Sequence, residues 1–162
     1  VLRLKRSLDT SYRNVLLKLG KKKEALDLAR GSAEEAYQVY LKEPGYHLYF
    51  VTYLNAATTE WSAFDFAGEG GKARDIVRDA ALRLRDYRKE YPERDLNDYR
   101  FRAEQLWART ECYDLGDLQA AKEIALYSYN DMKDSGFRPN GYMTRSDALN
   151  LLYLLGYRLK SE

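Results

Sequence analysis

The sequence has little of what most catalytic and metal sites need. It contains one cysteine, Cys112, and one histidine, His47. A lone cysteine excludes an internal disulfide bond, and its place on an apolar helical face predicts a core residue. His47 follows the Pro44-Gly45 turn without a cysteine or carboxylate at a ligand spacing, which excludes the usual zinc motifs. We therefore expect no enzyme activity, no metal, no cofactor and no small-molecule substrate.

Long apolar runs and a strong net charge are also missing. No run approaches the roughly 20 residues that a membrane-spanning helix requires, so we expect no membrane span. The formal net charge is +2, and this near balance argues against a nucleic-acid partner. Without an initiator methionine or a signal peptide, the sequence is interpreted as a cytoplasmic fragment of a longer chain.

The amino-terminal end departs from this charge balance. Residues 1–23 contain eight Lys or Arg against the single acid Asp9. Such a stretch is either a solvated basic end or a surface for an acidic partner or membrane headgroups. The sequence leaves both interpretations open.

What the sequence does contain is a glycine turn that recurs with the helix after it. Successive glycines of this turn are 48 residues apart, and so are the alanines that follow them: Gly20, Gly68 and Gly116, with Ala25, Ala73 and Ala121. A motif that recurs in register with its helix indicates an internal repeat.

Apolar residues between the turns follow spacings of three and four, which predict helices throughout. The pattern divides residues 1–162 into units of about 1–44, 45–92 and 93–140, followed by a final helix over 144–160. Each unit is a pair of helices, so we expect about seven helices in one array. In the first unit the second helix is predicted to run from Ala25 to about Lys42, with Gly31 inside it at a close helix contact or a kink.

The start of each second helix resembles the tetratricopeptide-type repeat family. The small-large-small pattern of that family is matched by Ala25, Ala29 and Ser32, by Ala73, Val77 and Ala80, and by Ala121, Ala125 and Ser128. The resemblance implies an all-α fold, a right-handed α-solenoid of antiparallel helix hairpins.

Two features depart from that family. Its unit has about 34 residues, so a repeat of 48 would be a lengthened form. Its small residue midway along the first helix is replaced here by Arg13, Trp61 and Arg109. The helices of a pair are therefore expected to cross differently at that point.

In the family, the first helices line a concave groove that binds peptides or proteins. Carrying over its groove-facing positions predicts a partner-binding site of nine residues: Asn14, Asn55, Thr58, Ser62, Asp65, Trp107, Thr110, Tyr113 and Asp114. The two aspartates favour a neutral or basic peptide over an acidic one. The other interpretation is that these positions are polar only because they face water. Similar arrays belong to bacterial kinases, transcription regulators and NTPase switches, which indicates a scaffold or regulatory role by analogy of fold.

The last predicted helix offers a different function. Its apolar residues exceed what one neighbouring hairpin can bury, and Leu149, Leu152 and Tyr153 are the predicted contacts. Under this alternative the chain is an oligomerisation or structural element of a larger regulatory protein, docking onto a second copy or onto the rest of its own chain.

Overall fold

The structure is a computed structural model that describes residues 11–13, 15–94, 96–134 and the single positions 150, 153 and 156. The described residues contain helices, turns and bends but no strand, which confirms the all-α prediction. Six helices are defined over this part of the chain: α1 (Lys22–Ala29), α2 (Ser32–Lys42), α3 (His47–Phe66), α4 (Gly70–Glu90), α5 (Asn97–Thr110) and α6 (Leu118–Asp134). Residues 11–13 and 15–18 are helical as well, and a π-helical turn, Glu111–Leu115, follows α5. Most of the predicted final helix lies outside the described residues.

The chain divides into two compact units. Unit 1 is Val1–Ile76 and unit 2 is Val77–Glu162, so the boundary falls within the sequence of α4. The two units are described separately below. The predicted single array over residues 1–162 stays a prediction.

The three glycine turns share one backbone conformation. Gly20, Gly68 and Gly116 have φ angles of +73°, +80° and +72°, in the left-handed region that glycine enters without a steric penalty. A helix begins two residues after each of them, at Lys22, Gly70 and Leu118. The alanines that follow, Ala25, Ala73 and Ala121, are fully buried. The local turn therefore recurs at the spacing found in the sequence, whereas the stacking of whole units stays a prediction.

Two glycines near the start of α4 allow a test of this turn. Gly68→Ala should lower the free energy of unfolding by about 1–2 kcal/mol, because a Cβ at a left-handed position is strained, although nothing lies within 4 Å of that Cβ. Gly71→Ala is the control, since Gly71 is helical and its Cβ would also meet nothing within 4 Å. It should be neutral or stabilising by up to about 1 kcal/mol. Urea denaturation measures both, and equal destabilisation would contradict the turn assignment.

The second helix of the first predicted unit is in fact two helices. Gly31 has a φ of +79°, and it separates α1, which ends at Ala29, from α2, which begins at Ser32. The prediction of one helix from residue 25 to 42 is therefore wrong. The physical reason is that a residue in the left-handed conformation cannot continue a right-handed helix. A new helix begins directly afterwards because the N–H groups at its start have hydrogen-bond acceptors.

In unit 1, α3 packs against both α1 and α2. Both aromatic and small residues line its buried side, and Phe50, Tyr53 and Trp61 are among the buried side chains. The ring centroids of Tyr40 and Phe50 are 4.9 Å apart, and those of Tyr37 and Tyr53 are 5.0 Å apart. These edge-on and tilted contacts are the geometries that aromatic pairs prefer. Aromatic packing thus fixes how α2 lies on α3.

In unit 2, α5 packs against α6 and the π-helical turn. One hydrophobic cluster joins them, with Trp107 packed at its edge: Phe101, Ala108, Cys112, Ala121, Ile124 and Ala125. Cys112 is buried in this cluster and is not part of a disulfide bond, which confirms its prediction as a core residue.

Candidate partner-binding site

One side of α3 remains accessible along the whole helix. We define the α3 face as Leu48, Thr52, Asn55, Thr59, Ser62 and Phe66, which follow one another at spacings of four and three residues. Leu48 is 46% exposed at one end and Phe66 is 55% exposed at the other, and the residues between them are exposed or half-buried. A helix rises about 1.5 Å per residue, so the face is about 27 Å long.

The predicted groove residues of unit 1 lie on this face or beside it. Asn55 and Ser62 belong to it, while Thr58 and Asp65 are half-buried along one edge. The Thr58 hydroxyl donates to the Leu54 carbonyl at 3.0 Å. The structure thus brings four of the predicted residues together on one helix. Asn14 lies outside the described residues.

The α3 face retains hydrogen-bonding capacity. Within the described part of the chain, the side chains of Asn55 and Ser62 make no hydrogen bond to protein. The Thr52 hydroxyl donates to the Leu48 carbonyl at 2.7 Å, and its oxygen still has lone pairs that can accept. A ligand along this face would therefore meet both donors and acceptors.

The predicted groove residues of unit 2 have mixed environments. Tyr113 and Asp114 are exposed in the π-helical turn. Trp107 is half-buried, and its Nε1 donates to Oε1 of Glu111 at 2.9 Å. These three side chains remain candidates, although Trp107 already has a hydrogen-bond partner.

Thr110 is a correction to the predicted site. Its side chain is fully buried, and its hydroxyl donates to the Leu106 carbonyl at 2.8 Å. The equivalent residue of the previous unit, Ser62, is half-buried. A larger share of positions is buried on α5 than on α3, so equivalent positions in the repeat do not have equal access to a ligand. We leave Thr110 out of the proposed site.

Of the residues predicted to contact another copy, only Tyr153 belongs to the described part of the chain. Its side chain is exposed. Leu149 and Leu152 lie outside the described residues. The oligomer alternative therefore stays a prediction.

Comparison with known proteins leaves the family open. No family model matches the chain. No curated protein and no solved structure matches it either. The likeness to tetratricopeptide-type repeats therefore depends on the residues themselves.

Two kinds of site are absent from the residues that the structure describes. None of the helices in that part of the chain has the length and the apolar character needed to cross a membrane. In the same residues, His, Cys, Asp and Glu side chains form no group of three that could hold a metal ion.

Glu60 is a buried carboxylate that the sequence analysis did not single out. It extends from α3 to the start of α2 and accepts hydrogen bonds from the backbone N–H groups of Gly31 and Ala33, each at 2.9 Å. The Ser32 hydroxyl donates to the same carboxylate at 3.4 Å. A negative charge at a helix N-terminus satisfies N–H groups that have no partner within the helix. Glu60 thereby fixes the start of α2 and orients the buried side of α3.

Arg13 gives a second fixed point on the same helix. Its side chain is buried, and Nη1 donates to the Thr59 carbonyl at 2.7 Å. Burial lowers the pKa of the Arg13 guanidinium. This contact holds the helical residues 11–13 and 15–18 beside α3, close to the middle of the α3 face.

Unit 2 contains a partly buried group of charges, which we call the arginine cluster: Arg85, Arg88, Arg100, Glu104 and Asp131. Arg100 and Glu104 are fully buried. Glu104 accepts from Nε of Arg85 at 3.0 Å and lies 3.9 Å from Nε of Arg100. Asp131 accepts from Nη1 of Arg88 at 3.3 Å and pairs with Nη1 of Arg100. Side chains from α4, α5 and α6 therefore meet here.

Loss of solvent is the largest influence on the pKa of Arg100. Burial lowers the pKa of Arg100, and the nearby Arg88 lowers it further, against the attraction of Glu104 and Asp131. Arg100 also lies over the Phe101 ring at 4.4 Å from its centroid. The sequence offered one signal for the cluster, since Arg100 and Glu104 are four residues apart and flank the apolar positions of α5.

Proposed function

We propose that the chain is a protein-interaction module and that its α3 face binds an extended segment of a partner protein. The observation that supports the proposal is the composition of the face. Short hydrogen-bonding side chains lie between an exposed leucine and an exposed phenylalanine on one continuous side of a helix. Small polar side chains let a peptide backbone approach closely, and large apolar residues serve as anchors.

Two buried contacts favour a rigid binding surface. Glu60 joins α3 to the start of α2, and Arg13 joins α3 to the residues before α1. A helix held in this way loses little conformational freedom when it binds a ligand. The conformation of the α3 face is thus fixed before a partner binds.

Asp65 is the residue beside the face that favours a neutral or basic segment. It lies along the edge of the face, and its negative charge would repel an acidic peptide. In the solenoid that the resemblance implies, α3 is the first helix of the second hairpin and lines the concave side. The solenoid and its groove are part of this proposal.

A peptide selection tests the proposed function. Peptides that bind the protein are selected from a library of random sequences. Their affinities are then measured by calorimetry for the wild type and for the double variant Asn55→Arg, Ser62→Arg. We expect the selected peptides to be neutral or basic. The double variant should weaken binding at least about tenfold, because two long cationic side chains cover the polar middle of the face.

Gln38→Arg is the matched control for this experiment. Gln38 is an exposed amide on α2 that donates to Glu34 at 2.7 Å, and an arginine there keeps an acidic partner one turn away. Its affinity should stay within about twofold of wild type. Peptides that bind both variants as tightly as wild type would show that the α3 face is not the site.

A further inference from the structure

The arginine cluster contains more positive than negative charge. Three guanidinium groups, of Arg85, Arg88 and Arg100, face the two carboxylates of Glu104 and Asp131. A guanidinium remains protonated in proteins at neutral pH. One positive charge is therefore not balanced by a carboxylate of the cluster.

Asp79 and Asp86, the acids of α4 that precede and follow Arg85 in the sequence, do not supply the missing charge. They pair with other basic residues of the same helix, in the pairs Arg83–Asp79 and Lys89–Asp86, each at 2.9 Å. Arg85 and Arg88 bond instead to carboxylates of α5 and α6. The excess positive charge is thus a property of the place where the three helices meet.

The burial of Arg100 makes the unbalanced positive charge unfavourable for the stability of the fold. Arg100 is fully buried, and its Nε and Nη2 have no hydrogen-bond acceptor among the described residues. Buried donors without acceptors and a buried charge without full compensation both raise the free energy of the folded chain. An anion close to the cluster would reduce the electrostatic part of that cost.

The outer edge of the cluster is open to such an anion. Side chains of Arg85 and Arg88 are 20% and 28% exposed, and they lie three residues apart on one side of α4. The Arg85 guanidinium is 3.7 Å from the centroid of the exposed Tyr127 ring. Glu104 and Tyr127 hold Arg85 in place. A ligand would therefore meet the guanidinium groups of Arg85 and Arg88 in positions that are already fixed.

We propose that Arg85 and Arg88 bind a carboxylate group from an acidic segment of a partner protein, with the buried Arg100 adding positive charge behind them. A carboxylate matches the single unbalanced charge, whereas a phosphate dianion would exceed it. The proposal goes beyond the function of the α3 face. It concerns unit 2 and a partner charge of the opposite sign, and it does not depend on the first proposal.

Trp107 provides a local probe for the test. Its ring centroid is 5.9 Å from the Arg85 guanidinium carbon, so binding at the cluster should change its fluorescence. The ligand is a capped peptide of six glutamates, with a capped peptide of six glutamines as the neutral control. We expect a saturable change with the glutamate peptide alone, weakened at least about fivefold in Arg88→Gln because one charge-assisted contact is lost. Arg83→Gln removes the same charge from the same helix and should change the affinity less than about twofold.

Several results would overturn the proposal. They are no saturable change with the glutamate peptide, equal binding of the glutamine peptide, or equal weakening by Arg83→Gln and Arg88→Gln. Displacement of the peptide by inorganic phosphate at far lower concentration than by acetate would also reject a carboxylate site. If Arg88→Gln does not fold, Arg88→Lys takes its place. The lysine keeps the charge but loses the forked geometry, so its affinity should fall about threefold, and an unchanged affinity would count against the proposal.

Discussion

Replacing Glu104 with alanine should lower the free energy of unfolding by about 3–5 kcal/mol, because removing one partner of a buried ion pair leaves an uncompensated charge. Glu104 is fully buried and lies between Arg85 and Arg100. Of the two arginines, Arg100 has no exposed surface through which water could replace the carboxylate. The destabilisation should therefore be far larger than for an ordinary helix-surface residue.

Urea denaturation followed by the fluorescence of Trp107 measures this effect in unit 2. A Trp61→Phe background leaves Trp107 as the reporter, since the chain has two tryptophans. The double variant Arg100→Met, Glu104→Leu is the informative companion, because apolar residues of similar volume can replace a buried pair at little cost. It should recover most of the stability lost in Glu104→Ala. A single variant as stable as wild type would contradict the buried network.

Replacing Glu60 with alanine should lower the free energy of unfolding by about 2–4 kcal/mol. The change leaves the N–H groups of the half-buried Gly31 and Ala33 without their acceptor, and an N–H group left unpaired costs at most about 1–3 kcal/mol. Loss of the negative charge at the start of α2 adds to the effect. Because α2 restarts directly after Gly31, we also expect faster amide exchange in the first turn of α2.

Two controls separate the role of Glu60 from a general loss of charge. Glu60→Gln keeps one acceptor oxygen and should cost roughly half as much as the alanine. Glu24→Ala removes an exposed carboxylate that pairs with Lys21 at 3.1 Å, and it should cost less than about 1 kcal/mol. Equal effects of Glu60→Ala and Glu24→Ala on the denaturation midpoint would contradict the capping role.

The helical class and the glycine turns could be predicted from the sequence because they depend on local physics. Glycine adopts the left-handed backbone conformation at the lowest free-energy cost. Helix periodicity appears directly in the spacing of apolar residues. Gly20, Gly68 and Gly116 accordingly mark turns, and the helices after them begin at matching positions. The same rule explains the error at Gly31, which was placed inside a helix although its conformation ends one.

The buried charges could not be predicted in the same way. A glutamate within a helix is ordinarily taken for a surface residue, because its burial depends on donors that other helices supply. For Glu60 those donors are the backbone of Gly31 and Ala33, and for Glu104 the donor is Arg85 of α4. Which helices meet is a long-range property that spacing along one helix does not reveal.

The predicted binding residues show the limit of aligning repeat units. Positions on α3 were accessible or half-buried, whereas Thr110 on α5 was fully buried. Access to a ligand depends on burial, and α5 is buried at a larger share of its positions than α3. Equivalent sequence positions predicted the same secondary structure but not the same exposure.

The most direct test of the α3 face is an NMR titration of the protein with a selected peptide, followed through the backbone amide shifts. We expect the largest changes along Leu48–Phe66, centred on Asn55 and Ser62, with saturation at one peptide per chain. Changes centred on other helices, with α3 unaffected, would show that the peptide does not bind the α3 face.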